Sequence, residues 1–314
     1  MRSVISYDDV KAAGGRIAGR VRPVVVAPVG AGRSFALEHL QHTGTFKARG
    51  ALNFTTAQLE RGEMPAAGIT IASGGNAGLA CAWAAGQRGI RATVFVPETV
   101  PAVKLARLRE LGAEVRRVGR EYAEAAAACA EFAAESGALA SHAYDHPLIA
   151  AGAGTLLDEI AAARPAVSTV VVAVGGGGLF SGVAAAAAAH GIRVVAVEPE
   201  NCRCLNAALA AGEPVDVPVD SVAADSLGAR RVSAEALRWA GEPHVDSVLV
   251  SDAAVVETRR RLWRDHRLAV EHAAAAAVAG APEPAPGEEV CVVLCGANTD
   301  LGSLSGAAEA PREG

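Results

Sequence analysis

No stretch of this 314-residue chain is apolar for long enough to cross a bilayer. Hydrophobic residues make up 51% of it, but alanine carries much of that share. The runs Ala184–Ala189 and Ala273–Ala277, edged by His190 and His272, stop far short of the roughly 20 residues a spanning helix needs. The start of the chain has an early Arg2 but no apolar core before Asp8 and Asp9, so no secretory signal is read and a cytoplasmic setting is expected. A basic excess is also missing: the net charge is −5, which gives no electrostatic footprint for nucleic acid and leaves small molecules as the expected partners. The six cysteines, Cys81, Cys129, Cys202, Cys204, Cys291 and Cys295, form no disulfide framework, and no pair of CxxC knuckles points to structural zinc. Cys202 and Cys204 lack nearby His or Cys partners in sequence and are expected to be ordinary thiols. Fixed-period repeats and long linkers are absent too. Only 280–288, with three prolines, and the tail after Gly306 read as loose, and no room for a separate regulatory module is expected after the last strand.

What is present is an alternation of short β-branched runs with longer alanine-rich stretches. Strands are expected at 34–40, 69–72, 92–96, 114–118, 170–174, 194–197 and 289–294. Helices are expected at 46–59, 77–88, 103–111 and 179–189. Apolar runs separated by helices indicate parallel sheets buried on both faces, and two such blocks, before and after about residue 150, imply two sheets with a cleft between them.

Three turns carry chemistry. In the first, His42 to Ala51, a strand is followed by the opening of a helix, and Lys47 falls in its first turn. The partial positive charge there disfavours a protonated amine and favours the nucleophilic form. Alone, Lys47 reads as a solvated surface lysine. In the second, Gly175-Gly176-Gly177-Gly178 joins a strand to a helix, an arrangement whose converging backbone N–H groups suit a phosphate. A dinucleotide fold is the rival, since Glu198 ends the next strand where a ribose-binding acid would sit. The GxGxxG spacing fails, however: from Gly176 it reaches Gly178 but then Ser181, and from Gly175 it reaches Gly177 but then Phe180. In the third, Ser73-Gly74-Gly75-Asn76-Ala77-Gly78 offers N–H groups to a carboxylate and the Asn76 amide as a directed donor, although any βα turn uses such residues.

A nucleophilic lysine with a phosphate cradle and a carboxylate cradle fits pyridoxal phosphate chemistry on an amino acid. The chain resembles the serine/threonine dehydratases of the fold-type II pyridoxal phosphate enzymes through TGTFKARGA around Lys47, SGGNAGLACAWAAGQRG from Ser73, YDHPLIAAGAGT from Tyr144, VGGGGLFSG from Val174, VEPE from Val197, SLGARRV from Ser226 and LCGANTD from Leu294. These stretches run in family order over nearly the whole chain.

The resemblance implies an α/β fold of the tryptophan synthase β-like kind, two domains each with a mainly parallel sheet flanked by helices and the cofactor in the cleft between them. It assigns 1–48 and 146–314 to a large cofactor-binding domain and 49–145 to a small substrate-binding one. Lys47 would be the Schiff-base lysine and general base, and Phe46 would pack a ring on the cofactor. Gly175, Gly176, Gly177 and Gly178 would hold the phosphate, Asn76 the phenolic oxygen, and Cys295 would face the pyridine nitrogen as a weak, uncharged partner. Ser73, Gly74, Gly75, Asn76 and Ala77 would take the substrate carboxylate, and Tyr144 would line the pocket for the β-substituent. The implied reaction is loss of the β-hydroxyl from L-serine, L-threonine or a related 3-hydroxy amino acid, giving a 2-oxo acid and ammonia. A homodimer and a monovalent cation held by backbone carbonyls are implied with it. The alternatives are a β-replacement synthase on the same fold, a non-catalytic amino-acid or cofactor binding protein and, more remotely, a nicotinamide oxidoreductase.

This chain departs from the family pattern in places. Gly74 stands where serine racemases carry a proton-donating serine, which disfavours racemisation. Cys204 stands where the divalent-cation version of its loop has a carboxylate, so no metal is expected. Ser226, Ala153 and the pair Glu271-His272 also differ from the usual residues. His42 and His146 have no motif role and are expected on the surface or in loops.

Overall fold

The computed structural model describes residues 4–304, and the tail after Gly306 lies outside them. Two strands, β1 (Val26–Gly30) and β2 (Arg33–Ala36), form an antiparallel hairpin. Four more, β3 (Ile69–Ala72), β4 (Ala92–Val96), β5 (Glu114–Arg117) and β6 (Leu139–Ala140), make an all-parallel sheet in the order β5-β4-β3-β6. The remaining strands, β7 (Thr169–Ala173), β8 (Arg193–Pro199), β9 (Val245–Val250) and β10 (Val290–Val293), complete a six-stranded sheet in the order β1-β2-β10-β7-β8-β9, parallel beyond the hairpin. Every residue of β4 and β7 is buried, as strands covered on both faces must be. Each sheet has its own apolar core, one around Val171, Phe180 and Val195, the other around Ile71, Val94 and Leu108.

The helices begin with α1 (Tyr7–Ile17), α2 (Lys47–Glu60), α3 (Asn76–Gln87), α4 (Ala102–Glu110), α5 (Tyr122–Ser136), α6 (Pro147–Ala163) and α7 (Gly178–His190). They are followed by α8 (Cys204–Ala211), α9 (Ala224–Leu227), α10 (Ala234–Ala240), α11 (Asp252–His266) and α12 (His272–Ala279). Helix α6 packs closely on both α2 and α7 because glycine lets the backbones meet. A Cβ on Gly182 would lie 2.0 Å from the Ala150 carbonyl oxygen, and one on Gly50 would lie 2.5 Å from that of Ile149. The helix that begins with Lys47 is thereby held in register with the helix that begins at the glycine loop.

The expected strands at 69–72 and 92–96 coincide with β3 and β4. The strand expected at 34–40 is shorter, ending at Ala36. Beyond it the chain turns into a 3-10 helix, Glu38–Leu40, which buries the Glu38 carboxylate against Arg49. That ion pair is a tertiary demand and leaves no trace in hydrophobic periodicity. Residues 281–288 are free of helix and strand, as their prolines indicate.

Candidate active site

Lys47 opens α2 with Phe46 at the N-cap. Its amine donates to the Ala143 carbonyl at 3.0 Å and sits 4.9 Å from the centre of the Phe46 ring. Burial pushes its pKa down to about 8, against the opposing pull of Cys295 and Glu271. A substantial neutral fraction therefore exists near neutral pH. The cause is mainly loss of solvent around the ammonium.

Around this amine lies a cavity of about 770 Å³, large enough for a cofactor together with a small substrate. Its walls bring together Phe46, Lys47, Ser73, Gly74, Gly75, Asn76, Ala77, Tyr144, Gly175, Gly176, Gly177, Gly178 and Cys295. Every residue singled out from the sequence as a candidate thus borders one space, although Lys47 and Cys295 come from opposite ends of the chain.

The glycine loop follows β7 and runs into α7, a 13-residue helix whose first amide hydrogens have no partners within the helix. The loop is wedged between other elements. A Cβ on Gly176 would fall 2.3 Å from the Tyr144 ring, and Gly177, at φ 97°, has the Ala236 methyl 2.3 Å from where its own Cβ would be. Side chains are excluded here by both space and backbone conformation, leaving main-chain N–H groups as the lining. Such a cradle fits a phosphate.

The turn before α3 is equally constrained. A Cβ on Gly78 would lie 1.9 Å from the Ser73 carbonyl oxygen, so the turn closes only with glycine there, while the Ser73 hydroxyl accepts from the Gly75 N–H at 3.3 Å. Asn76, the first residue of α3, gives its amide nitrogen to both oxygens of Glu271 at 2.9 and 3.0 Å and accepts at Oδ1 from the Asn298 amide at 2.8 Å. Glu271 is 7% exposed and borders the cavity; burial raises its pKa, while Asn76, the Asn298 N–H and Lys47 pull it back. Sequence reasoning assigned Glu271 and Asn298 no role. Asn298 lies inside the stretch LCGANTD and Glu271 directly precedes the unusual His272, yet the connection of Glu271 to Asn76 spans 195 residues and emerges only on folding.

Tyr144 donates from its hydroxyl to the Arg231 carbonyl at 3.1 Å, and burial pushes its pKa up to about 12, so it is a neutral phenol. Cys295 follows β10 at 4% exposure, and burial pushes its thiol up to about 12 as well. It presents an uncharged thiol to the cavity.

The departures from the family pattern have definite places. Cys204 donates its thiol to the Gly175 carbonyl at 3.2 Å, beneath the glycine loop. Glu198 is fully buried and spends its two oxygens on the N–H groups of Leu205 and Asn206, each at 2.8 Å. It is therefore committed to the start of α8 and is not aimed at a ribose, which removes the one support for a dinucleotide site. Ser226 and Ala153 border the cavity, and His272 lies 3.4 Å from the Arg259 guanidinium. His42 is half-buried and stacks on Trp83 with ring centres 4.6 Å apart, whereas His146 caps α6 by accepting from the Leu148 N–H at 3.1 Å. All six cysteines are buried and free of disulfides. Among the described residues no group of three or more His, Cys, Asp or Glu could hold a metal ion, and no helix is long and apolar enough to cross a membrane.

Comparison with known proteins gives concordant results. Residues 22–296 match the model of the family described as pyridoxal-phosphate dependent enzyme. The L-threonine ammonia-lyase of Geobacter sulfurreducens is 34% identical over 277 residues, covering 86% of this chain and 68% of that protein. A serine dehydratase-like protein of Homo sapiens is 35% identical over 278 residues, covering 83% of each. Among solved structures, a pyridoxal 5'-phosphate-dependent aspartate racemase is similar with a TM-score of 0.85 at 29% identity, covering 97% of this chain and 99% of that one.

Proposed function

The chain belongs to the pyridoxal-phosphate dependent enzyme family, and on that premise we propose that it is an ammonia-lyase that removes the β-hydroxyl of L-serine, L-threonine or a related 3-hydroxy amino acid. The products are a 2-oxo acid and ammonia. The observation that carries this reading is the convergence on one cavity of the Lys47 amine, the Gly175–Gly178 cradle and the Ser73–Ala77 turn. Pyridoxal phosphate, when bound, supplies an electron sink for the bonds at the substrate Cα.

This chain's residues supply the rest. Gly175 to Gly178 would hold the phosphate through main-chain N–H groups, and the Ser73–Ala77 turn would bind the substrate carboxylate in the same way. Lys47 would anchor the cofactor and, with its amine neutral, would take the proton from the substrate Cα. Asn76 would donate to the cofactor's phenolic oxygen. Phe46 would pack on its ring, and Tyr144 would border the space for the β-substituent. Cys295, a neutral thiol, would leave the ring nitrogen without a charged acid and so would moderate the sink, which suits loss of the β-substituent.

Gly74 separates this reading from racemisation, the activity of the structurally similar aspartate racemase. Glycine has no side chain from which to donate a proton to the substrate, so unreacted L-serine is expected to keep its configuration. Gly74→Ser restores a hydroxyl. Its Cβ would lie 3.2 Å from a Val100 methyl and 3.3 Å from a Val96 methyl, contacts that a small shift of valine side chains relieves. The variant is expected to form D-serine at least about tenfold faster than wild type, as suits one added general acid. Chiral chromatography of the residual substrate measures this, and equal D-serine formation by both proteins removes Gly74 from the argument.

Ammonia release from a panel of L-serine, L-threonine, 3-hydroxyaspartate and 3-phenylserine tests the main reading. A cofactor absorbance band without turnover of any hydroxy amino acid overturns it in favour of a binding protein. Product that appears only when a second nucleophile is added identifies a β-replacement synthase. The same reading includes a monovalent cation held by backbone carbonyls, a homodimer and a cytoplasmic setting, all supported by family resemblance. It also includes a division into a large cofactor-binding domain, 1–48 with 146–314, and a small substrate-binding domain, 49–145, supported by the separate strand sets of the two sheets.

A further inference from the structure

We propose that Glu271 is a positioning residue that, together with Asn298, locks the Asn76 amide with its N–H2 group as the donor offered to the cofactor. This rests on the cofactor-binding role proposed for Asn76. The two ends of that amide are chemically distinct, and a free asparagine could present either. Here Oδ1 is taken by the Asn298 Nδ2 at 2.8 Å, and that same nitrogen is fixed by a second bond to the Thr43 carbonyl at 2.8 Å. Nδ2 lies between the Glu271 oxygens at 2.9 and 3.0 Å. Both Glu271 oxygens face donors, the Asn76 amide and the Asn298 N–H, so they act as acceptors, and a flipped amide would set oxygen against oxygen at Glu271 and nitrogen against nitrogen at Asn298. One hydrogen directed between the carboxylate oxygens satisfies Glu271, which leaves the second hydrogen of Nδ2 available.

The fold gives up ordinary features to place this carboxylate. Glu271 is the N-cap of α12, yet its side chain makes no capping bond to that helix. The backbone at Gly296 passes so near that a Cβ would be 2.5 Å from Oε2 and would displace the carboxylate, and the Glu271 N–H is spent on the Gly296 carbonyl at 2.9 Å. The acid is held by amides, Asn76 and the Asn298 N–H at 3.0 Å, on the wall of the cavity that contains Lys47. A residue serving only the stability of α12 would turn back to its own helix.

A double-mutant cycle tests this, with Kd for pyridoxal phosphate read by absorbance titration of the apoprotein and the position of the visible band as a second readout. Glu271→Gln puts an N–H2 group in reach of Asn76 and permits the flipped amide. It is expected to raise Kd about tenfold or more and to move the band, and Asn298→Ala is expected to act in the same direction. In an Asn76→Ala background, Glu271→Gln is expected to change Kd by less than about twofold, because it acts through Asn76. Wild-type Kd and spectrum in both Glu271→Gln and Asn298→Ala overturn the inference, as does an undiminished effect of Glu271→Gln without Asn76. Should Glu271→Gln fail to fold, Asn298→Ala carries the same cycle with Asn76→Ala. A wild-type chain that binds no pyridoxal phosphate instead overturns the proposed function, so the two failures are distinct.

Discussion

Replacing Lys47 with alanine is expected to lower ammonia release from L-serine or L-threonine by at least about 10³-fold, because the proposed function gives this one residue both the anchoring of the cofactor and the removal of the Cα proton. The cavity should survive: the truncation removes one bond, to the Ala143 carbonyl, and a cation–π contact with Phe46, while α2 keeps its packing on α6. Circular dichroism and a thermal unfolding profile near those of wild type separate loss of chemistry from loss of fold. Added methylamine is expected to restore part of the activity by supplying a free base. Retention of more than about a tenth of wild-type turnover contradicts the assignment, since general-base removal alone costs about 10²-fold or more.

The pH profile belongs to the same prediction. The Lys47 amine titrates near pH 8, down from the ordinary lysine value of 10.5, because burial penalises its charged form. Only the neutral amine attacks or takes a proton. The rate at which the apoprotein captures pyridoxal phosphate covalently should therefore rise with pH below about 8 and level off above it. A rise continuing to pH 10 would indicate a solvated lysine and so the ordinary surface reading of this residue.

What could be read from the sequence follows from how each feature is encoded. Lys47, the four glycines from Gly175 and the turn from Ser73 are contiguous motifs in which local residue types state the local chemistry. Strands β4 and β7 were legible because burial on both faces writes an unbroken apolar run. By contrast, β9, VDSVLV, lies at the edge of its sheet, with only Val250 fully buried, and mixes polar with apolar residues. Helix α6 is cut by glycines that serve as contact points with α2 and α7, which makes a helix look like a loop. The Glu271–Asn76–Asn298 arrangement joins three separate chain segments, and nothing local to any of them announces the other two. The same is true of the acid that stops β2 early.

That acid, Glu38, leads to the second large effect, expected from Arg49→Met. Arg49 is wholly buried two residues after Lys47, and its guanidinium binds Glu38 through two bonds at 2.7 and 2.9 Å. It also binds Glu159 of α6 at 2.6 and 2.8 Å and Thr155 at 3.2 Å. Glu159 in turn accepts from the Val24 N–H at 2.6 Å, so one planar cation ties the first turn of α2 to the end of β2, to α6 and to the segment before β1. Methionine approximates the volume but leaves two carboxylates facing a cationless cavity. Stability is expected to fall by about 3–5 kcal/mol, the usual cost of removing one partner from a buried ion pair. Chemical denaturation reads this as a lower midpoint at unchanged slope. Arg49→Lys should fall between the two, since an ammonium keeps the charge but cannot bind both carboxylates with the planar fork of arginine. Glu38→Gln added to Arg49→Met should recover part of the loss by removing one stranded charge, whereas the same change in wild type should destabilise. An additive pair would mean that the two residues do not act as a unit, and α2 would then owe its placement to glycine packing on α6 alone.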